Sequence, residues 1–300
     1  MARSGAGSIH HVVERVRDAL ARGLALADSV DLPREAAVRL AAVGDLHFGR
    51  DSEGALAPWL DQLAAEADLL VIAGDLTQNG DPKEAEVASR ELQALPIPKV
   101  AVLGNHDYDY GQEQAVAERL EEGGVRVLEG DSVVVPVGGV RVGIAGVKGF
   151  GGGFLGACGS DFGEPEMKAF IAHTKSAARR LEEAIESLDR EVDVKVALLH
   201  YAPVPGTLLG ERPEIYPFLG SYLLAEPLDR LGVDLVLHGH AHAGVEKAMT
   251  PGGIPVRNVA QPVIRSAYRV YPVSRKPGSA SGKGRNAPGQ HPQRAISRRH

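Results

Sequence analysis

The sequence predicts an α/β protein, a four-layer α/β/β/α sandwich, and three features of the chain lead there. Short apolar runs, Val38–Val43, Leu69–Ala73 and Lys99–Leu103, alternate with longer segments of helical period. Polar residues close those runs at an even interval: Asp45 precedes Asp75 by 30 residues, and Asp75 precedes Asn105 by 30. That interval is the size of one strand–helix–strand unit, which makes the strands parallel and brings their C-terminal ends to one edge. After residue 124 the runs shorten and a Gly138-Gly139 turn joins two of them, as expected for a second sheet.

Taken in order, residues 1–36 form an N-terminal arm. Val12, Val13, Val16, Leu20 and Leu24 recur near the helical period, so a helix is expected over residues 9–28, ended by Asp31-Leu32-Pro33. The main domain is expected over 37–273. Within it, Ala55–Ala67 has helical character, and Asp81 followed by Pro82 is a helix start, an N-cap with proline at the first position, for a helix to about Leu95. Gln112–Glu122 is a further helix, stopped by Gly123-Gly124. Strands follow at Val125–Leu128, Ser132–Val137 and Val140–Ala145. The run Gly149-Phe150-Gly151-Gly152-Gly153-Phe154 reads either as a flexible connector or as a wall beside a strand end. Glu164–Leu188 is a long charged helix, Val194–Leu199 a strand, Ser221–Leu231 a helix and Val233–Leu237 a strand. Val245–Met249 and Ile254–Val259 are expected to close the domain as a hairpin around Pro251-Gly252-Gly253.

The composition is that of a globular chain, with 44% hydrophobic and 24% charged residues among 300. Cys158 is the sole cysteine, which excludes an internal disulfide and a thiolate zinc site. No stretch reaches the roughly 18 apolar residues of a membrane span. Charges at Glu14, Arg15, Arg17, Asp18 and Arg22 break any signal-peptide core, so a cytoplasmic location and no membrane partner are expected. Residues 274–300 hold seven basic residues and no acid, against a net charge of −6 for the whole chain. That segment has almost no large apolar residue and is expected to be a disordered basic tail. The body is therefore acidic, which argues against a phosphate-backbone partner there and leaves nucleic acid possible only for the tail. Nothing in the chain specifies an oligomeric state.

Five stretches carry chemistry: Gly44-Asp45-Leu46-His47, Gly74-Asp75, Gly104-Asn105-His106-Asp107, His200 and Gly239-His240-Ala241-His242. Each follows an apolar run. Singly, each has an ordinary explanation, because a lone buried histidine is usually a core residue and aspartate after glycine often ends a turn. Together they supply Asp45, His47, Asp75, Asn105, His200, His240 and His242, seven oxygen and nitrogen donors at strand ends. Carboxylates with imidazoles and no thiolate suit Mn²⁺, Fe or Zn²⁺. Seven donors exceed one tetrahedral site and suit two divalent metal ions sharing a carboxylate. Paired metals clamp the attacking and leaving oxygens of a phosphoryl displacement and make hydroxide available near neutral pH. On an extended segment His240 and His242 would point the same way. His106, one residue past Asn105, is placed to protonate a leaving oxygen, with Asp107 beside it to hold the ring.

In these motifs the chain resembles the calcineurin-like metallophosphoesterases over about residues 38–260: D-x-H at Asp45–His47, G-D at Gly74–Asp75, G-N-H-D at Gly104–Asp107, a lone His200, and G-H-x-H at Gly239–His242. The resemblance implies Asp45, His47 and His242 on one metal, Asn105, His200 and His240 on the other, and Asp75 bridging. It implies that His106 contacts the phosphate and acts as general acid, with Asp107 orienting it. The implied reaction is hydrolysis of a phosphodiester or phosphomonoester of a small substrate, cyclic nucleotides included. A nuclease of the same superfamily and a non-catalytic scaffold of the same fold are the alternatives. The first needs a basic face and the second loses its ligands. For the substrate pocket, Arg50 is a candidate for a phosphate oxygen, and Glu211, Tyr216 and Phe218 are candidates from the loop Tyr201–Leu219.

Overall fold

The structure is a computed structural model that describes residues 38–188 and 192–274. The N-terminal arm and all of the basic tail past Ser274 lie outside the described residues, and so do the expectations for them. The chain runs β1 (Val38–Val43), α1 (Leu60–Glu66), β2 (Leu69–Ala73), α2 (Pro82–Gln93), β3 (Lys99–Val102), α3 (Glu113–Glu122) and β4 (Val125–Leu128). Next come β5 (Asp131–Val137), β6 (Val140–Val147), the small hairpin of β7 (Gly153–Phe154) and β8 (Ala157–Cys158), and α4 (Pro165–Ser187). β9 (Val194–Leu199), α5 (Ala225–Leu231), β10 (Leu235–His238), β11 (Lys247–Met249), β12 (Pro255–Asn258) and β13 (Arg269–Val273) follow, with single helical turns at Tyr216–Leu219 and Gln261–Ile264 between them.

Two main sheets result, in the orders β13-β1-β2-β3-β4 and β11-β12-β10-β9-β6-β5. β1 through β4 pair in parallel, as helical crossovers require, and β6, β9, β10 and β12 are parallel in the second sheet. Alternation along the strands makes the layers. Val196 and Leu198 of β9, and Leu235 and Leu237 of β10, enter one core with Leu40, Ile72 and Val102 of the first sheet. Their neighbours Ala197, Leu199 and Val236 face the other way, onto Leu181 and Ile185 of α4 and Leu228 of α5. On the far side of the first sheet, Ala85, Ala88 and Leu92 of α2 and Val116 and Leu120 of α3 are buried. The arrangement is helix, sheet, sheet, helix, the four layers expected.

Local signals explain most boundaries. Asp81 caps α2, its carboxylate accepting from the Lys83 N–H at 2.9 Å, with Pro82 at the first helical position. The expected helix over Ala55–Ala67 is only α1 preceded by a 3-10 turn, Ala57–Trp59. Likewise the segment from Ser221 opens with a 3-10 turn before α5. The closing element also differs from expectation. β11 and β12 do form a hairpin, but the chain then crosses to the first sheet, where β13 lies antiparallel to β1 with Val38 opposite Val273. Its Pro272 breaks a ladder and so suits only an edge, the position β13 occupies. Among the described residues, no helix is long and apolar enough to cross a membrane.

Candidate metal centre

Parallel pairing brings Asp45, Asp75 and Asn105 to the C-terminal ends of β1, β2 and β3, and His200, His240 and His242 to those of β9 and β10. The two edges meet. His200 Nδ1 donates to the Ala73 carbonyl at 2.8 Å, and the His240 N–H reaches both carboxylate oxygens of Asp45 at 3.1 Å. The turns that make this possible are strained. Asp45, His47, Asp75 and His240 have φ of 60, 47, 50 and 70°, the left-handed region that side-chain-bearing residues seldom occupy. Such strain persists where the surroundings over-determine it, commonly at functional sites. Glycine precedes three of these residues, and Asn105 as well, for a related reason. A Cβ at Gly104 would land on the Asp75 carboxylate, and one at Gly239 on that of Asp45, so each turn must be bare for its neighbour's carboxylate to fit.

Three groups of ligand atoms converge, each with its atoms within 4.8 Å of one another: Asp45, His47 and His242; His47, Asp75 and His106; and Asp75, His200 and His240. His242 Nε2 is 2.9 Å from Asp45 Oδ1, His200 Nε2 is 3.4 Å from Asp75 Oδ1, and His47 Nε2 is 3.9 Å from Asp75 Oδ2. Asn105 joins through its Oδ1, 2.9 Å from His200 Nε2. Asp45, Asp75 and His200 are closed off from solvent, while the side chains of His106 and His242 are 44 and 45% exposed. The centre therefore has a sealed floor of carboxylates and an open rim of imidazoles. The rim is tight, with ring centroids of His47 and His106 4.6 Å apart and of His47 and His242 5.6 Å apart.

Charges are tuned for ligation. Burial raises the Asp45 carboxyl, but its bond to His242 and the nearby His200 charge outweigh it, so Asp45 stays ionised. The Asp45 bond in turn raises His242. Burial takes His240 down to about 3, with His200 adding to the effect, so its ring is neutral and free to coordinate. Burial also lowers His47. A donor set of buried carboxylates and imidazoles around strained, glycine-led turns, with Asp45 held ionised and His240 neutral, fits divalent metal ions.

Two expectations about the local geometry are corrected. The Gly239–His242 segment is not extended. Ala241 N–H turns back to the Gly239 carbonyl at 2.8 Å, and His240 and His242 separate into different groups. Nor does Asp107 hold the His106 ring. Its fully buried carboxylate accepts the N–H groups of Leu76, Thr77 and Gly104 and the Thr77 hydroxyl, at 2.6–3.2 Å. Those four donors lie behind the turn, so Asp107 ties the loop after β2 to the loop after β3. His106 Nδ1 instead meets the Gln78 carbonyl at 2.8 Å.

The pocket candidates are placed as follows. Arg50 is paired with Asp81 through Nε at 2.9 Å and through a second, shorter contact. Glu211 accepts the Ala243 N–H at 2.7 Å, bracing the turn after His242, and the Tyr216 hydroxyl donates to the Leu208 carbonyl at 3.0 Å. Phe218 is exposed beside the centre, its carbonyl 3.2 Å from His240 Nε2. The glycine run 149–154 is no flexible connector: Gly152 and Gly153 donate to the Pro217 and Gly220 carbonyls at 2.6 and 2.9 Å. Residues not singled out in the sequence also surround the centre: Gln78, Lys148, Tyr201 and His238. A polar residue following a strand end, as Lys148 follows β6, was the available signal for one of them. His238 is fully buried on the Thr207 hydroxyl at 2.9 Å and pushed down to about 4 by burial, a core residue.

Comparison with known proteins places this arrangement. The calcineurin-like phosphoesterase family model matches residues 38–244. An uncharacterized metallophosphoesterase of Aquifex aeolicus (strain VF5) is 27% identical over 219 residues, 71% of this chain and 66% of that protein. The chain thus spans slightly under two thirds of that relative's length. Among solved structures, the phosphopantetheinyl hydrolase PptH of Mycobacterium tuberculosis superposes with a TM-score of 0.57 at 18% identity, covering 83% of this chain and all of that one, a likeness of fold.

Proposed function

The chain belongs to the calcineurin-like phosphoesterase family, and we propose that it hydrolyses a phosphodiester or phosphomonoester bond of a small substrate with two divalent metal ions. The observation that carries the reading is the sharing of donors. Asp75 belongs to two of the three convergent groups and His47 to two, so the groups form one continuous centre. In this reading Asp45, His47 and His242 would hold one ion and Asn105, His200 and His240 the other, with Asp75 available to both. Mn²⁺, Fe and Zn²⁺ all suit such donors. The ions would supply Lewis acidity to the phosphoryl oxygens and to an attacking water.

The chain's own groups do the rest. The sealed floor excludes bulk water from the carboxylates and keeps their charge undiluted. His200 and His240 are oriented by the Ala73 and Phe218 carbonyls. His106 is the proton donor. Its Nδ1–H rests on the Gln78 carbonyl, leaving Nε2 to face the rim, 4.0 Å from Asp75 Oδ2. Protonated there, it can pass its Nε2 proton to a leaving alkoxide.

The test is metal content together with turnover. Purified protein should hold close to two metal ions per chain and hydrolyse p-nitrophenyl phosphate or a p-nitrophenyl phosphodiester when Mn²⁺ is supplied. Protein without bound metal and without turnover of any phosphomonoester, cyclic nucleotide or diester would be a non-catalytic scaffold of this fold.

A further inference from the structure

Lys148 follows β6 at the same edge as the metal centre and is only 6% exposed. Its ammonium makes no hydrogen bond or ion pair among the described residues; three rings surround it instead. Nζ lies 4.5 Å from the centroid of Tyr108, 5.3 Å from that of Phe150 and 5.5 Å from that of Tyr201. The acid that acts most on its charge, Glu129 between β4 and β5, is already engaged, by Arg180 at 2.9 Å and by the Lys148 main-chain N–H at 3.2 Å. No buried side-chain nitrogen or oxygen among the described residues lacks a partner, so the Nζ atom is one that solvent reaches.

Two of those rings come from the loops of the centre. Tyr108 is two residues past His106, in the same turn, and the Tyr201 ring sits 4.4 Å from that of His240. The ammonium is thus held at the wall of the centre, and Asp75 lies near enough to act on its charge. Stripping part of the water from an ammonium is costly when no protein group answers it. Contact with three ring faces returns part of that cost. An anion entering from the open side returns the rest.

The geometry points to Lys148 as a substrate-binding residue that takes an anionic phosphoryl oxygen, held in place by Tyr108, Phe150 and Tyr201. This rests on the hydrolytic reading for the identity of the substrate, but not for the binding of phosphate. The ring cage fixes the direction of the ammonium, so the contact selects for negative charge at one position rather than for bulk.

The test uses Lys148→Met, which keeps the length and apolar stem within the cage, and Lys148→Gln, which keeps donors without charge. Inorganic phosphate is titrated calorimetrically into the Mn²⁺-loaded full-length protein, with metal content and thermal unfolding measured alongside. Both variants should keep the wild-type metal content. The phosphate Kd should rise about 10–100-fold, the usual loss on removing a charge-assisted hydrogen bond. KM for p-nitrophenyl phosphate should rise with it, while kcat changes less. An unchanged phosphate Kd in both folded, metal-loaded variants overturns the inference and leaves Lys148 a packing residue. A wild-type protein that turns over no ester, yet binds phosphate through Lys148, overturns the hydrolytic reading and leaves this one standing.

Discussion

The loops of the first sheet reach the centre by repetition, and those of the second by irregular connections. Asp45, Asp75 and Asn105 stand on glycine-led turns at a 30-residue interval, whereas 40 residues and a long loop separate His200 from His240. The first half gives carboxylates, an amide, His47 and His106; the second gives imidazoles only. Each half orients the other's donors. The Asp45 carboxylate of the first sheet is held by the His240 N–H of the second, and the His200 ring of the second by the Ala73 carbonyl of the first. The group of His47, Asp75 and His106 lies within the first half, but the other two groups exist only once the sheets dock. The centre should also repay the strain of its left-handed turns only when both halves are in place.

Removing the donor that two of the convergent groups share should cost most. Asp75→Ala is expected to lose both metals and to lower activity by more than the roughly 10²–10⁴ that an acid–base group contributes. Metal analysis and p-nitrophenyl phosphate turnover check this. Two tightly bound ions per chain in that variant would remove Asp75 from the bridging position. His242→Ala should weaken one ion and spare the other.

The second way to break the comparison leaves every donor intact. Gly104→Ala places a Cβ where the Asp75 carboxylate lies. It should displace that carboxylate, reduce metal content and destabilise the fold by about 1–3 kcal/mol, as overpacking does. Thermal unfolding with metal analysis reads both effects. Wild-type metal content and stability would mean that the turns of the first sheet are looser than their contacts imply.

A sharper distinction comes from His106, which sits on the first half yet faces the shared rim. His106→Asn should keep both metals and lower kcat for alkyl leaving groups by roughly 10²–10⁴. The loss should be smaller for p-nitrophenolate, a weak base that needs less protonation. Equal losses would make His106 a phosphate contact, and loss of metal would make it a ligand, as its place in the His47–Asp75 group allows.

The smallest effect is expected outside both halves. Deleting residues 274–300 should change kcat/KM for small substrates by less than about tenfold, ~1.4 kcal/mol. No ligand candidate lies there. A larger change would bring the basic tail to the site.

Much of this was legible in the chain. The interval from Asp45 to Asn105 encodes parallel strands, because a strand, a crossover helix and their turns need about that many residues. Asp81-Pro82 marked the start of α2 because a capping carboxylate and a residue lacking an N–H are both local solutions to the same unpaired helix end. β13 was not legible: Arg269–Val273 is short, contains Pro272, and earns its pairing from β1, more than 220 residues earlier in the chain. The role of Asp107 was misread because adjacency in sequence suggested contact with His106. Its four donors come from residues 76, 77 and 104, set by how two loops pack.

By itself, then, the sequence determined the layer pattern and the donor types, since periodicity and side-chain chemistry are local properties. Only the tertiary structure decided that the Gly239–His242 segment is bent, that Asp107 ties two loops together, that Arg50 is held by Asp81, and that Lys148 stands among three rings with no hydrogen-bond partner among the described residues. These depend on the left-handed turns and on the docking of two sheets, where contacts between residues as far apart as Asp45 and His242 are formed only once the chain has closed.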